Sequence, residues 1–439
     1  MGLLIQILTF VLIISILVIL HEFGHYLPAK WFKTRVEKFY LFFDWKFSLY
    51  KKKIGETEWG IGWLPLGGYV KIAGMIDESM DTDQMKQEPQ PWEFRSKPAW
   101  QRLIIMLGGV TVNFLLAWII YTGLLISNGD TYIPADNLKY GILVDSVGQK
   151  LGLRNGDKIV SIDGKKSTKF SEASLDILLG DEITVKRDDK TVNILIADEG
   201  KKDLLSRGKN FLSYRMRPIV DRTQKGSGAE KAGITTGDLI TAVNGKPVTY
   251  FSEFLEEMTA FGANENISIS IDRNGSPKTF EVTLSDQKKA GIYPSIDDLS
   301  VTDTYGFFEA IPAGFNRTIK VLTDQVRQFK IIFNRKTEGY KQVKGPIGIV
   351  EMMPASWNWG FFWGFLAMFS VWLAFVNLLP IPALDGGHVM FLLYEIISGR
   401  PPSEKVLERG QIIGFVIVVG LMAVIFGNDI WNIVKRLMD

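Results

Sequence analysis

The pentapeptide at 21–25 reads His-Glu-Phe-Gly-His, which is an H-E-x-x-H pattern. On a helix, residues four positions apart share a face, so His21 and His25 can offer two imidazole nitrogens to one tetrahedral zinc ion. Metallopeptidases with this pattern use its glutamate, here Glu22, as the general base that takes a proton from the attacking water. The chain has only three histidines, so a chance match is rare, on the order of one in a thousand. These residue types predict zinc-dependent hydrolysis.

Composition predicts a membrane enzyme that also has a soluble part. A chain of 439 residues is too long for one ordinary domain, and 22% charged residues is too many for a protein that lies entirely in the membrane. The net charge of +2 gives no reason to expect a nucleic-acid partner. The absence of cysteine excludes disulfides and thiolate zinc ligands, which leaves histidine, aspartate and glutamate as donors.

Four apolar stretches are candidates for membrane-spanning helices. They cover 3–20, 103–126, 361–379 and 412–426, and the last is expected to extend through its flanks. A cleavable signal peptide is the alternative for the first stretch. That stretch has no basic segment before it and continues directly into the H-E-x-x-H residues, so we expect it to be a retained helix.

Lysine and arginine near the ends of these stretches predict their orientation. Basic residues are dense between the first and second stretches, at Lys30, Lys33, Arg35, Lys38, Lys46, 51–53, Arg95, Lys97 and Arg102. This segment should be cytoplasmic, with both termini outside. The first stretch rises roughly 27 Å as a helix, which places the H-E-x-x-H residues near the cytoplasmic side of the membrane.

An acidic residue near the other end of the chain is predicted to complete the site. Segment 377–387 reads N-L-L-P-I-P-A-L-D-G-G and ends the third apolar stretch, so Asp385 arrives at about the depth of the two histidines. A carboxylate in an apolar stretch is costly unless it is paired or bound to a metal. Two imidazoles and one carboxylate leave the fourth zinc position open for water. His388 is a rival ligand, for which a loop position or a supporting contact is favoured.

The two motifs resemble those of the site-2 protease family of intramembrane zinc metalloproteases, marked by HExxH in the first core helix and N-x-x-P-x-P-x-L-D-G in a later one. The resemblance spans the whole chain and is closest to the bacterial type that regulates the sigma-E envelope-stress response. It implies that His21, His25 and Asp385 bind zinc. It also implies that Glu22 is the base and that Asn377 holds the substrate backbone. One departure lies at 107–113, which lacks the proline that relatives place before the second-span asparagine.

The same resemblance implies a multi-pass endopeptidase of the bacterial inner membrane. Its expected substrates are single transmembrane helices that another protease has already trimmed, such as a membrane anti-sigma factor and remnant signal peptides. Membrane lipid is an expected partner, and hydroxamate-type inhibitors are expected to bind through the open zinc position. The predicted fold is a multi-domain membrane protein, with an α-helical core of four spans and a re-entrant β-hairpin plus two small PDZ-like α+β or β-barrel domains in tandem.

The segment between the second and third stretches repeats itself. Residues 151–165 align with 232–246 at a constant offset of 81. The A-G-x-x-x-G-D-x-I-x-x-x-N-G pattern resembles a PDZ domain, strongly in the second copy and less so in the first. The copies, expected in the periplasm, either bind an extended chain as an added strand or act only as a spacer or filter. The predicted domains are 1–127 for the first two spans, 128–210 and 211–297 for the two PDZ-like copies, 298–356 for an amphipathic helix region and 357–439 for the last two spans.

Two smaller segments bear on how substrate enters. Residues 58–74 are apolar and rich in glycine, and in the family such a stretch forms the re-entrant hairpin; the alternative is an amphipathic loop on the membrane surface. Apolar residues recur every three or four positions over 307–333, which predicts an amphipathic helix outside the membrane. Its apolar face could pack on the second PDZ-like copy, on lipid or on a gate.

Two other kinds of function are compatible with some of these features. A metal transporter would also place histidine and aspartate in the membrane, but it predicts polar residues throughout the spans and related halves. Here the imidazoles and acids cluster at one depth, and the internal repeat is soluble. A catalytically inactive PDZ scaffold would not need Glu22.

Overall fold

A computed structural model describes residues 2–75, 88–207, 211–295 and 299–438. The chain forms two compact units. The first contains the residues up to Gly129, Thr304–Lys330 and the residues from Val343 onward, and the second contains Asp130–Asp303 and Ile331–Gln342. Four helices of the first unit are long and apolar enough to cross a membrane, namely Gly2–Trp31, Ala99–Asn128, Trp359–Asn377 and Lys405–Lys435. The four predicted spans are confirmed as helices, and the fourth extends through its flanks as expected.

The first unit begins with a helix, a pair of long strands and a second helix. These elements are α1 (Gly2–Trp31), β1 (Val36–Ile54), β2 (Thr57–Ile72) and α2 (Ala99–Asn128). The 58–74 stretch therefore supplies one strand of a hairpin rather than both, which corrects the sequence prediction. The other strand comes from 36–54, where many of the basic residues used to predict orientation lie.

The hairpin curls on itself. Residues 38–41 pair with both 58–61 and 68–71 in antiparallel orientation, and 58–61 also pair with 50–53. The backbone bends where Phe42 and Lys46 adopt positive φ, at 67° each. Among the described residues no other strand joins this sheet, so 68–72 form one of its open edges.

The second unit is built mainly from short strands. Its strands are β3 (Asp130–Tyr132), β4 (Ile142–Val144), β5 (Lys158–Ile162), β6 (Lys165–Lys166), β7 (Glu182–Arg187), β8 (Lys190–Leu195), β9 (Leu212–Tyr214), β10 (Val220–Thr223), β11 (Leu239–Val243), β12 (Lys246–Pro247), β13 (Asn266–Arg273), β14 (Ser276–Thr283), β15 (Ile292–Pro294) and β16 (Val301–Asp303). Its helices are α3 (Ser146–Lys150), α4 (Phe170–Leu179), α5 (Asp198–Arg207), α6 (Gly228–Ala232) and α7 (Phe251–Met258).

The sequence repeat corresponds to two sheets with the same strand order. One sheet runs β6-β5-β7-β8 and the other β12-β11-β13-β14. The tight turn after β5 is formed by Asp163-Gly164 and the one after β11 by Asn244-Gly245, with positive φ at Asp163 and at Asn244. Each copy has its own apolar core, one around Ile177 and Ile183 and the other around Ile269. The repeat is thus one structural motif used twice.

The chain then forms α8 (Phe307–Ile332), α9 (Pro346–Met352), α10 (Trp359–Asn377), α11 (Asp385–Ser398) and α12 (Glu404–Met438). The predicted amphipathic helix is therefore present as α8. Within the first unit it contacts the second span, because the indole N–H of Trp118 donates to the carbonyl of Ile311 at 2.8 Å. A side chain at Gly314 would lie 2.3 Å from the hydroxyl of Thr122, so the two helices meet closely there.

Two apolar clusters hold the first unit together. One joins α1, α2 and α10 and includes the fully buried Ile13 and Val371. The other joins α2 to the base of the hairpin and to α11, and it includes Val36, Ile105 and Leu392. The second cluster matters for the site, because α11 begins at the predicted ligand Asp385 and packs on α2 through Val389 and Leu392.

Candidate active site

The two motif histidines lie inside a continuous helix. α1 runs from Gly2 to Trp31, so His21 and His25 are more than one turn from its end, and both are buried, at 8% and 5% exposed. Their Nε2 atoms lie 3.4 Å apart. The spacing of four residues therefore brings the two nitrogens to one point, as the sequence predicts.

Glycines let the second span approach these histidines. A Cβ at Gly109 would lie 2.5 Å from Nε2 of His25 and 2.6 Å from Cε1 of His21, so a side chain at this position would displace both rings. The adjacent Gly108 of α2 lies against Gly24 of α1, since a Cβ at Gly108 would lie 1.9 Å from the carbonyl oxygen of Gly24. The glycine pair of α2 is required by this close helix contact.

Asp385 is the first residue of α11, which follows the loop after α10. The loop folds tightly against the start of the helix, because a Cβ at Gly386 would lie 2.2 Å from the carbonyl oxygen of Leu379. Oδ2 of Asp385 is 3.3 Å from Nε2 of His21 and 3.3 Å from Nε2 of His25. It is also buried with no geometrically acceptable hydrogen bond. The two distant motifs are therefore brought together.

These three atoms fit a zinc ion. Metal–ligand distances of about 2.0–2.1 Å give a tetrahedron with edges of about 3.3–3.4 Å, and the separations here are 3.3, 3.3 and 3.4 Å. Among the described residues, His21, His25 and Asp385 form the only group of at least three histidine, cysteine, aspartate or glutamate side chains whose donor atoms are close enough to bind one metal ion. A carboxylate oxygen without a hydrogen bond, beside two imidazole nitrogens, is the donor set that zinc hydrolases use.

Glu22 lies beside the cluster and faces the hairpin. It lines a cavity of about 700 Å³ together with the cluster residues. The same cavity is lined by 67–72, which include the open edge of the β2 strand. The carboxylate and an unpaired strand edge therefore share one chamber.

The structure separates the two remaining predicted residues. Asn377, the last residue of α10, places Nδ2 3.2 Å from Nε2 of His21 and lines the cavity. His388 also lines the cavity but lies outside the three-ligand cluster, and its Nε2 is 2.7 Å from Nε2 of Gln411 in α12. Asn113 was not assigned a role from the sequence, yet it is fully buried with Nδ2 3.1 Å from Nδ1 of His21. Its sequence signals are its position in an apolar stretch and its match to the second-span asparagine of relatives.

Membrane-length helices around a buried His-His-Asp cluster, with a glutamate at its side, define a membrane metallopeptidase. The chain belongs to peptidase family M50, whose model matches residues 9–421. It is 29% identical over 451 residues to the regulator of sigma-E protease RseP of Escherichia coli, covering 96% of this chain and 97% of that protein. It is also 29% identical over 461 residues to a protein of Vibrio cholerae named "Putative zinc metalloprotease", covering 96% and 97%.

These comparisons confirm the resemblance to the site-2 protease family and the prediction of an intramembrane zinc metalloprotease. With the four candidate spans, they support a multi-pass protein of the inner membrane.

Proposed function

We propose that this chain is an endopeptidase that cleaves transmembrane helices, with one zinc ion held by His21, His25 and Asp385. The observation that carries the proposal is the triangle of donor atoms, whose three edges match those of a tetrahedral zinc site. A zinc ion bound there supplies Lewis acidity, which polarises a carbonyl and makes water a nucleophile at neutral pH.

Glu22 is the proposed general base. Its carboxylate accepts a proton from the attacking water and then donates it to the leaving amine nitrogen, so one group serves both halves of the hydrolysis. Its place supports this role, because it follows His21 directly and faces the cavity without belonging to the ligand cluster.

The substrate backbone is proposed to lie between Asn377 and the hairpin. A helical peptide bond must be unwound before a nucleophile can reach its carbonyl, and the open edge at 68–72 offers backbone groups for an added strand. Asn377 contributes an amide that can hydrogen-bond the extended chain. The β-hairpin is therefore proposed to be the re-entrant element next to the site, with its strand edge turned toward the cavity.

The substrate class is proposed from the resemblance to the site-2 protease family, and the names of several relatives support it. Several are named regulator of sigma-E protease, so we propose that a membrane anti-sigma factor and remnant signal peptides are substrates after earlier trimming. The two repeated copies are proposed to be PDZ-like domains at 128–210 and 211–297 that face the periplasm, as do both termini. The segment 298–356 links them to the last two spans at 357–439, and 1–127 form the first half of the site.

A metal assay on purified protein tests this proposal directly. One zinc per chain should copurify, and a hydroxamate should inhibit cleavage of a transmembrane peptide by chelating at the open coordination position. The matched non-chelating ester of the same compound should not inhibit. Activity that is insensitive to the hydroxamate, or that persists after zinc removal, contradicts the proposed chemistry.

A further inference from the structure

The second span, α2, places a hydrogen-bonding group next to Nδ1 of each motif histidine. Nδ1 is the ring nitrogen that is not a proposed zinc donor. The carbonyl oxygen of Ile105 lies 2.8 Å from Nδ1 of His25, and the amide of Asn113 lies 3.1 Å from Nδ1 of His21. Ile105, Gly109 and Asn113 follow one another at intervals of four, so they share one face of α2. On that face, Ile105 supplies a carbonyl and Asn113 an amide, and the missing side chain of Gly109 leaves room between them for the two histidine rings.

The protonation of His25 is fixed by its partner. A carbonyl oxygen only accepts hydrogen bonds, so Nδ1 of His25 must carry the proton. The neutral ring then has its lone pair on Nε2, the atom that faces Asp385 at 3.3 Å. Metal-binding histidines are commonly oriented in this way by a carbonyl or carboxylate on the other nitrogen.

The same reasoning applies to His21, through the side chain of Asn113. The amide oxygen and nitrogen of Asn113 can exchange places by rotation of the side chain, and hydrogen bonding decides which of the two faces His21. With nitrogen toward His21, Nδ1 must accept, Nε2 must carry the proton, and Oδ1 of Asn113 stays buried without a partner. With oxygen toward His21, Oδ1 accepts from Nδ1–H and the amide nitrogen takes the position that has no partner. Nε2 of His21, which faces Asp385 at 3.3 Å and the amide nitrogen of Asn377 at 3.2 Å, is then free to bind a metal.

We infer that Asn113 is a positioning residue that accepts a hydrogen bond from Nδ1 of His21. This hydrogen bond keeps Nε2 of His21 unprotonated and directed toward the proposed zinc position. The inference rests on the proposed zinc site and extends it to a residue of the second span. Asn113 is well fixed for this role, because it is fully buried and its backbone carbonyl accepts a hydrogen bond from Ser370 of α10 at 2.7 Å.

The test is the zinc dissociation constant of purified full-length protein, measured by competition with a chelator. Asn113→Ala should weaken zinc binding by about 10–100-fold. Asn113→Asp should bind near the wild-type value, because a carboxylate accepts from Nδ1–H but cannot donate. Thr111→Val, an exposed position of the same helix whose hydroxyl bonds only its own backbone, is the matched control and should bind as wild type.

Wild-type affinity in Asn113→Ala overturns the inference, and so does an Asn113→Asp variant that binds as weakly as the alanine variant. If the alanine variant does not fold, the aspartate variant decides alone: retained affinity supports the accepting role, and a loss of tenfold or more contradicts it. His21→Ala, measured in parallel, tests the underlying zinc site separately. Wild-type zinc binding in that variant refutes the proposed site whatever Asn113 does.

Discussion

Oδ2 of Asp385 lies 3.3 Å from Nε2 of His25, although Asp385 begins α11 and His25 lies well inside α1. The contact depends on α2, because α11 packs on this helix through Leu392 and the histidine rings rest on its Gly109. The candidate metal site is thus assembled from three helices and not from the H-E-x-x-H helix alone.

Removing Asp385 should therefore empty the site. We expect zinc stoichiometry to fall from one per chain to near zero in Asp385→Ala, because two imidazoles alone bind zinc weakly. His388→Ala is the control on the same helix and should retain one zinc, since His388 contacts Gln411 instead. The measurement is metal analysis after gel filtration. Full occupancy in Asp385→Ala, with depletion in His388→Ala, reverses the ligand assignment.

The orientation of the chain gives a second prediction. A reporter fused near Lys52 should behave as cytoplasmic, and one placed within 180–245 as periplasmic, because basic residues concentrate between the first two spans. Paired alkaline phosphatase and fluorescent protein fusions give opposite signals for the two sides. Finding both positions on one side of the membrane would contradict the proposed topology.

A buried ion pair in the second repeat predicts a pH-dependent stability. Burial raises the pKa of Asp238, but hydrogen bonds from Arg273 and from the backbone N–H of Thr235 outweigh it and lower the pKa below its ordinary value of 3.8. The pair is bidentate, with Nε to Oδ1 at 2.7 Å and Nη2 to Oδ2 at 2.8 Å. This stabilisation should be complete above about pH 4 and lost as the pH falls through the lowered native pKa.

Arg273→Met should destabilise that repeat, because it leaves the carboxylate of Asp238 without its partner. Hydrogen exchange of β13 at pH 6 in the full-length protein measures the loss. Arg222→Met changes an exposed arginine and should have little effect. Equal protection of β13 in wild type and Arg273→Met would show that the ion pair does not stabilise the repeat.

Much of the site could be predicted from local sequence. The H-E-x-x-H spacing, the apolar lengths and the acid in a broken helix each carry a direct physical meaning, so the sequence alone relates His21, His25 and Asp385 to one another. The hairpin was only half predicted. The strand at 36–54 contains lysines, which indicate the orientation of the chain in the membrane. Its pairing with two separate segments of β2 depends on bends at Phe42 and Lys46, which the strand propensity of the residues does not reveal.

The role of α2 was not predicted, for a different reason. Gly108 and Gly109 were visible only as a departure from the family pattern, and Asn113 as an asparagine in an apolar stretch. Their meaning depends on which face of α2 meets α1, and that is decided by long-range packing. Likewise α11 is too short and begins with too much glycine for its sequence to indicate a separate helix.

The repeated insert is predicted to restrict access without taking part in chemistry. No residue proposed for zinc binding or proton transfer lies within 128–300, and a folded pair of domains outside the membrane can exclude a substrate that keeps its own bulky outer domain. Deleting both copies while keeping 307–333 should preserve cleavage of trimmed substrates and permit cleavage of untrimmed ones. If cleavage of a trimmed substrate is abolished while zinc content and folding stay normal, the insert recruits substrate by strand addition.

The central claim is that Glu22 performs proton transfer at a zinc site to which it does not itself contribute a ligand. The most direct test is Glu22→Gln, with zinc content and cleavage of a transmembrane substrate measured on the same purified sample. We predict one zinc per chain, as in wild type, and a loss of cleavage of at least about a hundredfold, because the amide cannot accept the proton. Substantial cleavage by the zinc-loaded variant, or loss of zinc together with activity, would contradict this account.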